Sequence, residues 1–505
     1  YQIYQNGTNV AQTTNTTYTV TGLSNGTTYS FTVSAKNTST SVEGAQSGAK
    51  TVTPRYQGPK WYVAVSGGGK ALSDTLTNYN LGTASSPINH LSNAIEIAAN
   101  RDTIVMMKGT HTGTSNRGIN FNGGKELVIT GDLDYSADQT IIDGGGKDQH
   151  FEFDSGEDTT FVIQNITLYN GKSSDRGGSI QVSNNSTPKF YNVIFEGNKA
   201  ERRGGAIGTT NQGSIIIENC QFINNVVEST DGDGSGGAIY FEGSQKFSRV
   251  NGSIFKGNKV LAKGQASGSA IFTNGIVDIT NCLFYDNETR SAINNNVSQT
   301  ATGAIHYDTP TYYDSGSNRW VGADLRLINN TIVNNHANTD YSGSGDDFSP
   351  GIYYCSHDQD IDPTLYAFNN IIYGNKSRGS IANYQLQLHC GNPIVRLDYN
   401  LIWNVDNLAN GTGSGNEYFS NDYSIDVDPA FKDSANGDFS LSNSSLAIGA
   451  GTANWSDWGK SAPTKDILGS TRPNPTGSNP DLGAYENSLS KSPYPKQVKN
   501  VTAVG

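Results

Sequence analysis

The chain has 505 residues, of which 46 are acidic and 34 are basic, so its formal net charge is −12. This charge excludes nucleic acid as an expected partner, because binding to phosphates needs a cationic face, and it disfavours a polyanionic ligand unless a local basic patch overrides the global field. A count of 58 glycines against 2 methionines is typical of a β-rich, turn-rich extracellular protein, and no apolar run approaches the roughly 18 residues of a membrane span, so membrane insertion is not expected.

Residues 1–54 carry the pattern of half a β-sandwich. Apolar residues alternate with polar ones from Tyr29 onwards, as in a half-buried strand. Just upstream, Leu23, Gly26 and Tyr29 form L-x-x-G-x-x-Y, which resembles the tyrosine corner of a fibronectin type III domain. Only about the last half of such a domain precedes Pro54. We therefore predict a partial fibronectin type III domain over 1–54.

Residues 85–100 predict an amphipathic helix. Its apolar residues recur at helical spacing, and they are Ile88, Leu91, Ile95 and Ala98. Pro87 suits a helix N-terminus. A strand at 102–109 follows directly. Because a solenoid needs its open ends covered, we predict that residues 55–113 form the N-terminal cap and first coil of the repeat structure that comes next. An ordinary surface helix is the alternative.

Two interleaved motifs repeat through the middle of the chain. In the first, N-x-x-Φ-x-x-N, the apolar residues are Phe195, Phe222, Phe255, Phe284, Ile332 and Ile372, with Leu168 and Ile402 as less regular members. Its closing asparagines are Asn198, Asn225, Asn258, Asn287, Asn335 and Asn375. In the second motif a small residue precedes Ile180, Ile207, Ile239, Ile271, Ile305, Ile352 and Ile381.

This period of about 30 residues predicts a parallel β-helix over 114–410. Successive coils would stack about 4.8 Å apart, so that like side chains form ladders. Ile and Phe would fill the interior, and each Asn amide would hydrogen-bond the next Asn in the stack. Glycine before the isoleucine permits a positive φ where the coil bends. Longer steps place extra loops at about 286–326 and 336–368.

Four cysteines are too few for a disulfide scaffold. Cys220 and Cys282 take the same place in two repeats, with Ser253 in that place between them. They would lie roughly 9–10 Å apart, which is too far for a disulfide, so we predict buried thiols. For Cys355 and Cys390 the sequence leaves a disulfide open.

The repeats and three further segments carry a family resemblance. WYVAVSGGG at 61–69 and the GGAI/F-x-x-N coils resemble right-handed parallel β-helix surface proteins of bacteria, and the alternating motifs resemble the repeats of polymorphic outer-membrane adhesins. The segments 426–451 and 466–486 (the latter ending DLGAYE) resemble the closing region of choice-of-anchor bacterial surface proteins, although Gly449 stands where that family has Asp. The resemblance covers about 59–487. It implies a right-handed β-helix at the cell exterior and no particular activity, because the fold hosts adhesins, lyases and hydrolases alike.

The C-terminal part is predicted to hold a closing region at 411–487. The segment 488–505 is predicted to be a linker and the first strand of a further fibronectin type III domain, with a disordered linker as the alternative. The chain would then be a piece of a longer multidomain protein, located extracellularly or on a bacterial cell surface.

A calcium site is one candidate for chemistry. Asp231, Asp233, Ser235 and Glu242 fit the EF-hand loop pattern D-x-D-x-[DNS]-G-x5-E, in which alternate oxygen ligands converge on Ca²⁺. No helices flank the motif, and a polar loop between coils is the alternative.

A basic cluster, Lys199, Arg202 and Arg203, is the candidate catalytic group if the chain is an enzyme. In β-helix polysaccharide lyases, Lys or Arg acts as base and acid, with Ca²⁺ neutralising a uronate. The alternative is a solvated charged turn.

Aromatic residues in a loop, Tyr312, Tyr313 and Trp320, are candidates for stacking on sugars. Packing of that loop onto the solenoid is the alternative. Together these features favour a non-enzymatic extracellular module that acts as a spacer and in adhesion, binding glycans or other cell-surface proteins. The alternative is a calcium-assisted polysaccharide lyase.

Overall fold

The computed structural model describes residues 1–73, 78–121, 125–243, 246–292, 301–308, 312–314, 319–321, 324–339, 349–355, 364–389, 394–404, 419–420, 423–455 and 459–494. The chain divides into two compact units, Tyr1–Met107 and Lys108–Gly505. Both are built mainly from short strands, and the second is a parallel β-helix, which confirms the predicted all-β fold class.

The first unit begins with a four-stranded antiparallel sheet. Its strands are Gln2–Gln5, Thr8–Gln12, Tyr29–Ser34 and Lys50–Val52, with the first strand between the second and third. The Tyr29 hydroxyl accepts a hydrogen bond from the Ser24 backbone N–H at 3.0 Å. This bond, from a tyrosine back to the chain a few residues upstream, has the geometry of a tyrosine corner. The fibronectin type III assignment stays a prediction.

The rest of the first unit holds the predicted helix. The parallel strands Lys60–Val63 and Thr103–Met106 pack against a helix at Leu91–Ile97. The helix is shorter than predicted because Ile88 pairs like a strand residue: its N–H donates to the Tyr62 carbonyl at 2.8 Å. Leu91 is fully buried, as the helical pattern predicts.

Three parallel ladders form the β-helix of the second unit. Sheet 1 consists of Gly109–His111, Val128–Gly131, Thr140–Asp143, Val162–Tyr169, Lys189–Glu196, Ile216–Glu218, Gln221–Ile223, Ser248–Asn251, Ile254–Lys256, Val277–Thr280, Leu283–Tyr285, Leu325–Ile328, Thr331–Val333, Thr364–Phe368, Ile371–Tyr373, Ile394–Asp398, Leu401–Ile402 and Phe419–Ser420. Sheet 2 consists of Lys172–Ser173, Lys199–Ala200, Val226–Ser229, Lys259–Ala262, Glu288–Ser291, His336–Thr339, Lys376–Ser377 and the antiparallel Ser380–Ile381. Sheet 3 consists of Ile119–Asn120, Phe151–Phe153, Ile180–Val182, Ile207–Thr209, Ile239–Phe241, Ile271–Thr273, Ile305–Asp308, Ile352–Cys355 and Leu386–His389.

Shorter elements complete the second unit. A small parallel ladder joins Gly234–Ser235, Ala266–Ser267 and Ala301–Thr302. Antiparallel pairs join Tyr312–Asp314 to Arg319–Val321, Phe431–Asp433 to Asp438–Leu441, and Asn454–Trp455 to Lys460–Ser461. Single 3₁₀ turns occur at Thr114–Asn116, Ala137–Gln139 and Ser434–Asn436.

The predicted apolar register is confirmed. Strand pairing runs through the eight residues Leu168, Phe195, Phe222, Phe255, Phe284, Ile332, Ile372 and Ile402 in that order, and all are fully buried. The four phenylalanine rings stack nearly parallel, with centroids 4.5–4.7 Å apart. This spacing is that of the coils themselves.

The predicted asparagine ladder is also confirmed. All six closing asparagines are fully buried. Each Nδ2 donates to the Oδ1 of the next residue at 2.8–2.9 Å, from Asn198 through to Asn375. The ladder ends at Gln385, whose Oε1 accepts from Asn375 at 2.8 Å. A second ladder, not predicted, joins Asn330, Asn370 and Asn400.

The predicted place of Ile381 in the isoleucine series is wrong. Leu386, and not Ile381, pairs with Ile352 and is fully buried. Ile381 lies in an antiparallel turn and is 51% exposed. The reason is that Gln385, and not a residue before Ile381, closes the asparagine ladder. Leu386 follows Gln385 directly and therefore takes the next core position.

The cysteines agree with their predicted register. Cys220 and Cys282 are buried and free, and the Cys220 backbone N–H donates to the Oγ of Ser253 in the coil between them. Burial raises the pKa of both thiols to about 12. Cys355 is disulfide-bonded, and its candidate partner Cys390 lies outside the described residues.

The C-terminal region, described at 423–455 and 459–494, packs on the outer face of sheet 1. It buries Phe439, Leu441, Ile448 and Leu482 against Leu283, Val333, Ile371 and Leu401 of the last coils. Three asparagine side chains at the turns of sheet 1 hold this region: Asn281, Asn329 and Asn369 donate to the carbonyls of Lys465, Asp481 and Thr452.

Candidate functional site

The four residues of the calcium pattern do not converge. Asp231 pairs with Arg202 at 3.3 Å, and the Asp233 carboxylate accepts the Gln265 N–H at 2.7 Å. Glu242 follows the strand Ile239–Phe241, whereas the other three residues precede it in the chain. Ser235 belongs to the short parallel ladder.

Glu242 instead pairs with Arg176 at 3.4 Å. Within the described ranges, no group of three or more His, Cys, Asp or Glu residues is placed to hold a metal ion. The strand that separates the ligands is the coil strand of the repeat, so the repeat register overrides the EF-hand spacing. Calcium binding stays a prediction without a converged ligand set.

The basic cluster also separates. Lys199 lies on sheet 2 and forms an ion pair with Glu228. Arg202 projects into the exposed pair with Asp231, and the Arg203 guanidinium lies 5.0 Å from the ring centre of Tyr240 beside sheet 3. The three side chains therefore share neither one cleft nor one partner.

A polar cleft of about 480 Å³ does lie beside Arg202. It is lined by Ser174, Asp175, Arg176, Glu201, Arg202, Thr230 and Asp231. Its cations are neutralised in place, since Arg176 pairs with Asp175 at 3.1 Å and Arg202 with Asp231. An arginine held by a carboxylate neutralises charge well but is a poor proton acceptor, because its pKa is far above neutrality.

The predicted aromatic residues lie on an antiparallel strand pair. Tyr313 is opposite Trp320, and Tyr312 is opposite Val321. Their side chains lie outside what the structure describes.

A buried aromatic row runs along sheet 3. Tyr240, Phe272, His306 and Tyr353 stack with ring centres 4.8–5.1 Å apart. Each is only 5–8% exposed, so the row is part of the packing and offers no open surface. Burial raises the pKa of Tyr353.

The end of the β-helix carries two aromatic pairs, Tyr373 with Trp403 and Tyr399 with Tyr423, which we together call the last-coil aromatic cluster. Trp403 is 38% exposed and meets Tyr373 edge-to-face at 5.7 Å. Tyr423 is 59% exposed and stacks on Tyr399 at 4.6 Å.

The last-coil aromatic cluster has acidic neighbours. Burial raises the pKa of Tyr373, and Asp428 and Asp426 raise it further, so both carboxylates lie close to this phenol. The repeat itself carries a sequence signal for this cluster. Trp403 follows Ile402 as Tyr373 follows Ile372, and Tyr399 replaces the positive-φ asparagine of earlier coils.

A second open cleft, of about 540 Å³, lies where the C-terminal region meets sheet 1. It is lined by Asn219, Asn251, Asn281 and residues 463–469. We call it the amide cleft. It was not predicted, because its two walls are far apart in the sequence.

No helix in the described part of the chain is long and apolar enough to cross a lipid bilayer. No protein-family model matches the chain. A stretch of 69 residues is 42% identical to chitinase D of Niallia circulans, and it covers 12% of this chain and 13% of that enzyme. The chain therefore spans only a small part of the chitinase.

Among solved structures, pectate lyase Pel9A aligns over 85% of this chain and 96% of its own length, at 15% identity and a TM-score of 0.38. A likeness at this level carries no argument about activity. The assignment as a parallel β-helix stands on the strand pairing of the chain itself.

Proposed function

We propose that this chain is a non-enzymatic, glycan-binding module of an extracellular or cell-surface bacterial protein. The observation that carries this proposal is the last-coil aromatic cluster, which presents Trp403 and Tyr423 to solvent. Aromatic rings offer a flat apolar surface to the C–H face of a sugar, and nearby carboxylates accept hydrogen bonds from its hydroxyls. Asp426 and Asp428 supply such acceptors.

The rings are held before any ligand arrives. Each exposed ring has an aromatic partner on the coil, and the Trp403 backbone N–H donates to the Ile372 carbonyl at 3.2 Å. Rings that are already ordered lose little conformational entropy on binding, which favours affinity. The disulfide at Cys355 supports an oxidising, extracellular compartment.

In this role the solenoid would also be a rigid spacer that holds the binding surface away from its attachment. Adhesion to glycans or to other cell-surface proteins follows from the same arrangement. The flanking fibronectin type III segments are proposed to link it to the rest of a longer chain.

A calcium-assisted polysaccharide lyase is the second candidate. The polar cleft beside Arg202 favours it, since a mixed lining of arginines and carboxylates suits an acidic sugar. The ion pairs of Lys199 and Arg202 weigh against it, because a base must be free to take a proton from the substrate.

Affinity electrophoresis against soluble neutral glycans tests the binding proposal. We expect Trp403→Ala and Tyr423→Ala each to weaken binding by about five- to tenfold, since a lost stacking contact is worth about 1–1.5 kcal/mol. Tyr169→Ala is the matched control, because Tyr169 is 41% exposed on an earlier coil of the same sheet. Equal losses in all three variants would contradict a site at the last coil.

A further inference from the structure

The amide cleft is built by the turns of sheet 1 and by one segment of the C-terminal region. Asn219 and Asn281 take the positive-φ position of their coils, with φ of 55° and 60°. Gly252 takes this position in the coil between them. A Cβ at Gly252 would lie 2.4 Å from the Asn219 Oδ1, so glycine there leaves room for the Asn219 carboxamide.

Asn281 anchors the other wall. Its Nδ2 donates to the Lys465 carbonyl at 3.1 Å, and its Oδ1 accepts from Arg472 at 3.0 Å. The segment 463–469 is thereby held over the cleft, with the Lys465 side chain exposed.

Three cations lie at the cleft or near it. Lys465, Lys460 and Arg249 form no ion pair with any of the described residues. Arg249 is two residues before Asn251 on the outer face of the same strand. Burial raises the pKa of Asp278, and Lys460 and Arg249 oppose that shift, so both cations lie near its carboxylate.

The acidic groups nearby are already satisfied. Glu218, which pairs in register with Asn251, binds Lys189 at 2.7 Å. Asp278 binds Arg326 at 3.3 Å. Asp466 is buried, and its oxygens accept backbone N–H groups. Arg326 is shared by Asp278 and Asp324, and Asp466 keeps its charge, but three cations without an ion-pair partner among the described residues still outnumber this one carboxylate, on a chain whose net charge is −12.

Other asparagines of the same row already bind backbone carbonyls of the C-terminal region. One and two coils beyond Asn281, Asn329 and Asn369 hold carbonyls of the C-terminal region at 3.1 Å and 2.8 Å. Asn219 occupies the equivalent position with an exposed side chain. A carboxamide donates and accepts at once, which matches the hydroxyls of a sugar.

We propose that the amide cleft binds an anionic sugar, carrying a carboxylate or a sulfate, of an acidic glycan. Lys465 would meet the anionic group, and Asn219 and Asn251 would meet the hydroxyls, while Arg249 and Lys460 favour the approach of further anionic units. This inference deepens the proposed glycan-binding function by adding a second subsite of different chemistry, separate from the last-coil aromatic cluster.

Binding of the full chain to alginate, dextran sulfate and neutral dextran tests the proposal and separates carboxylate from sulfate. We expect saturable binding to at least one of the two acidic polymers, weakened about five- to tenfold by Lys465→Glu, because a single exposed charge contributes up to about fivefold and its reversal adds repulsion. Asn219→Ala should weaken it as well. Lys50→Glu is the control, since it changes the net charge equally at an exposed residue of the first unit.

Failure of both acidic polymers to bind, or equal weakening by Lys465→Glu and Lys50→Glu, would overturn the proposal. The result is distinguishable from failure of the aromatic site. Trp403→Ala should leave the binding of acidic polymers within twofold, and Lys465→Glu should leave the binding of neutral glycans unchanged.

Discussion

The Arg472 guanidinium lies 2.8 Å from the Glu486 carboxylate, and both side chains are completely excluded from solvent. The remaining arginine nitrogens donate to the Asn281 Oδ1 and the Gly483 carbonyl, each at 3.0 Å. One guanidinium thus joins two parts of the C-terminal region to a turn of the β-helix. A buried pair of this kind is not itself a large source of stability, but it is costly to break.

Arg472→Ala is expected to destabilise the C-terminal region by about 3–5 kcal/mol, because it leaves Glu486 buried and unpaired. Urea unfolding followed by the fluorescence of Trp455, a residue of this region that packs on Phe368 of sheet 1, measures the loss. The double variant Arg472→Met with Glu486→Leu should recover part of it. Arg202→Ala, which breaks an exposed pair, should cost less than about 1 kcal/mol, and a cost equal to that of Arg472→Ala would contradict the prediction.

Asp481 makes the stability of the C-terminal region depend on pH. Burial, and then the neighbouring Glu486, raise the pKa of Asp481 from 3.8 to about 7. The folded state therefore holds a proton that the unfolded state has lost between these values, and the free energy of unfolding falls as pH rises from about 4 to 7. The full shift corresponds to about 4 kcal/mol. Asp481→Asn should flatten this slope, and an unchanged slope would show that Asp481 is not its source.

His150 gives a dependence of the opposite sign in the first coils. Burial lowers its pKa from 6.5 to about 4. Its ring nitrogens lie 2.9 Å from the Ser179 hydroxyl and 3.0 Å from the Ile142 carbonyl. Because the unfolded state binds the proton more tightly, stability is complete above about pH 6.5 and is lost as pH falls towards 4, by about 3 kcal/mol.

The measurement for His150 is hydrogen exchange of the first coils between pH 4 and 7. His150→Gln, which can keep one hydrogen bond, should remove the acid-side loss of protection there. Protection that falls just as steeply in the variant would argue against this histidine.

Substitution of an asparagine in the middle of the ladder should destabilise the β-helix. Asn258→Ala would leave the Asn225 backbone N–H and one of the two Nδ2 hydrogens of Asn225 buried without an acceptor. It would also remove the side-chain donor to the Phe222 carbonyl and one of the two donors to the Asn287 Oδ1. We expect a loss of about 3 kcal/mol in unfolding free energy. The control is Asn185→Gly, because Asn185 is exposed with φ of 66° and glycine accepts that conformation. Similar losses for both would mean that the ladder contributes little.

The ladders could be predicted from the sequence because stacking forces like residues into like positions. The N-x-x-Φ-x-x-N motif reports its own register, and even the imperfect members Leu168 and Ile402 pair as expected. The prediction for Ile381 was wrong because a small residue before isoleucine is a weak signal on its own. The ladder partner, Gln385, decides which residue enters the core.

The candidate sites could not be predicted for a different reason. Arg472 and Asn281 are separated by 191 residues, so no local sequence pattern predicts their contact or the cleft beside it. The calcium pattern did not lead to a converged site because a coil strand lies between Ser235 and Glu242. The last-coil aromatic cluster depends on Trp403 and Tyr423, which a weak final repeat brings together with their partners.

The most direct measurement of whether this chain binds glycans without cleaving them is incubation of the purified protein with polyuronates and neutral glycans, with calcium or with a chelator. Binding is followed by affinity electrophoresis, and turnover is followed by ultraviolet absorbance of unsaturated ends and by reducing sugar. We expect saturable binding of neutral glycans that Trp403→Ala weakens, and no product from any glycan under either condition. Calcium-dependent product that Arg202→Ala abolishes would contradict a non-enzymatic module and move the site to the polar cleft beside Arg202.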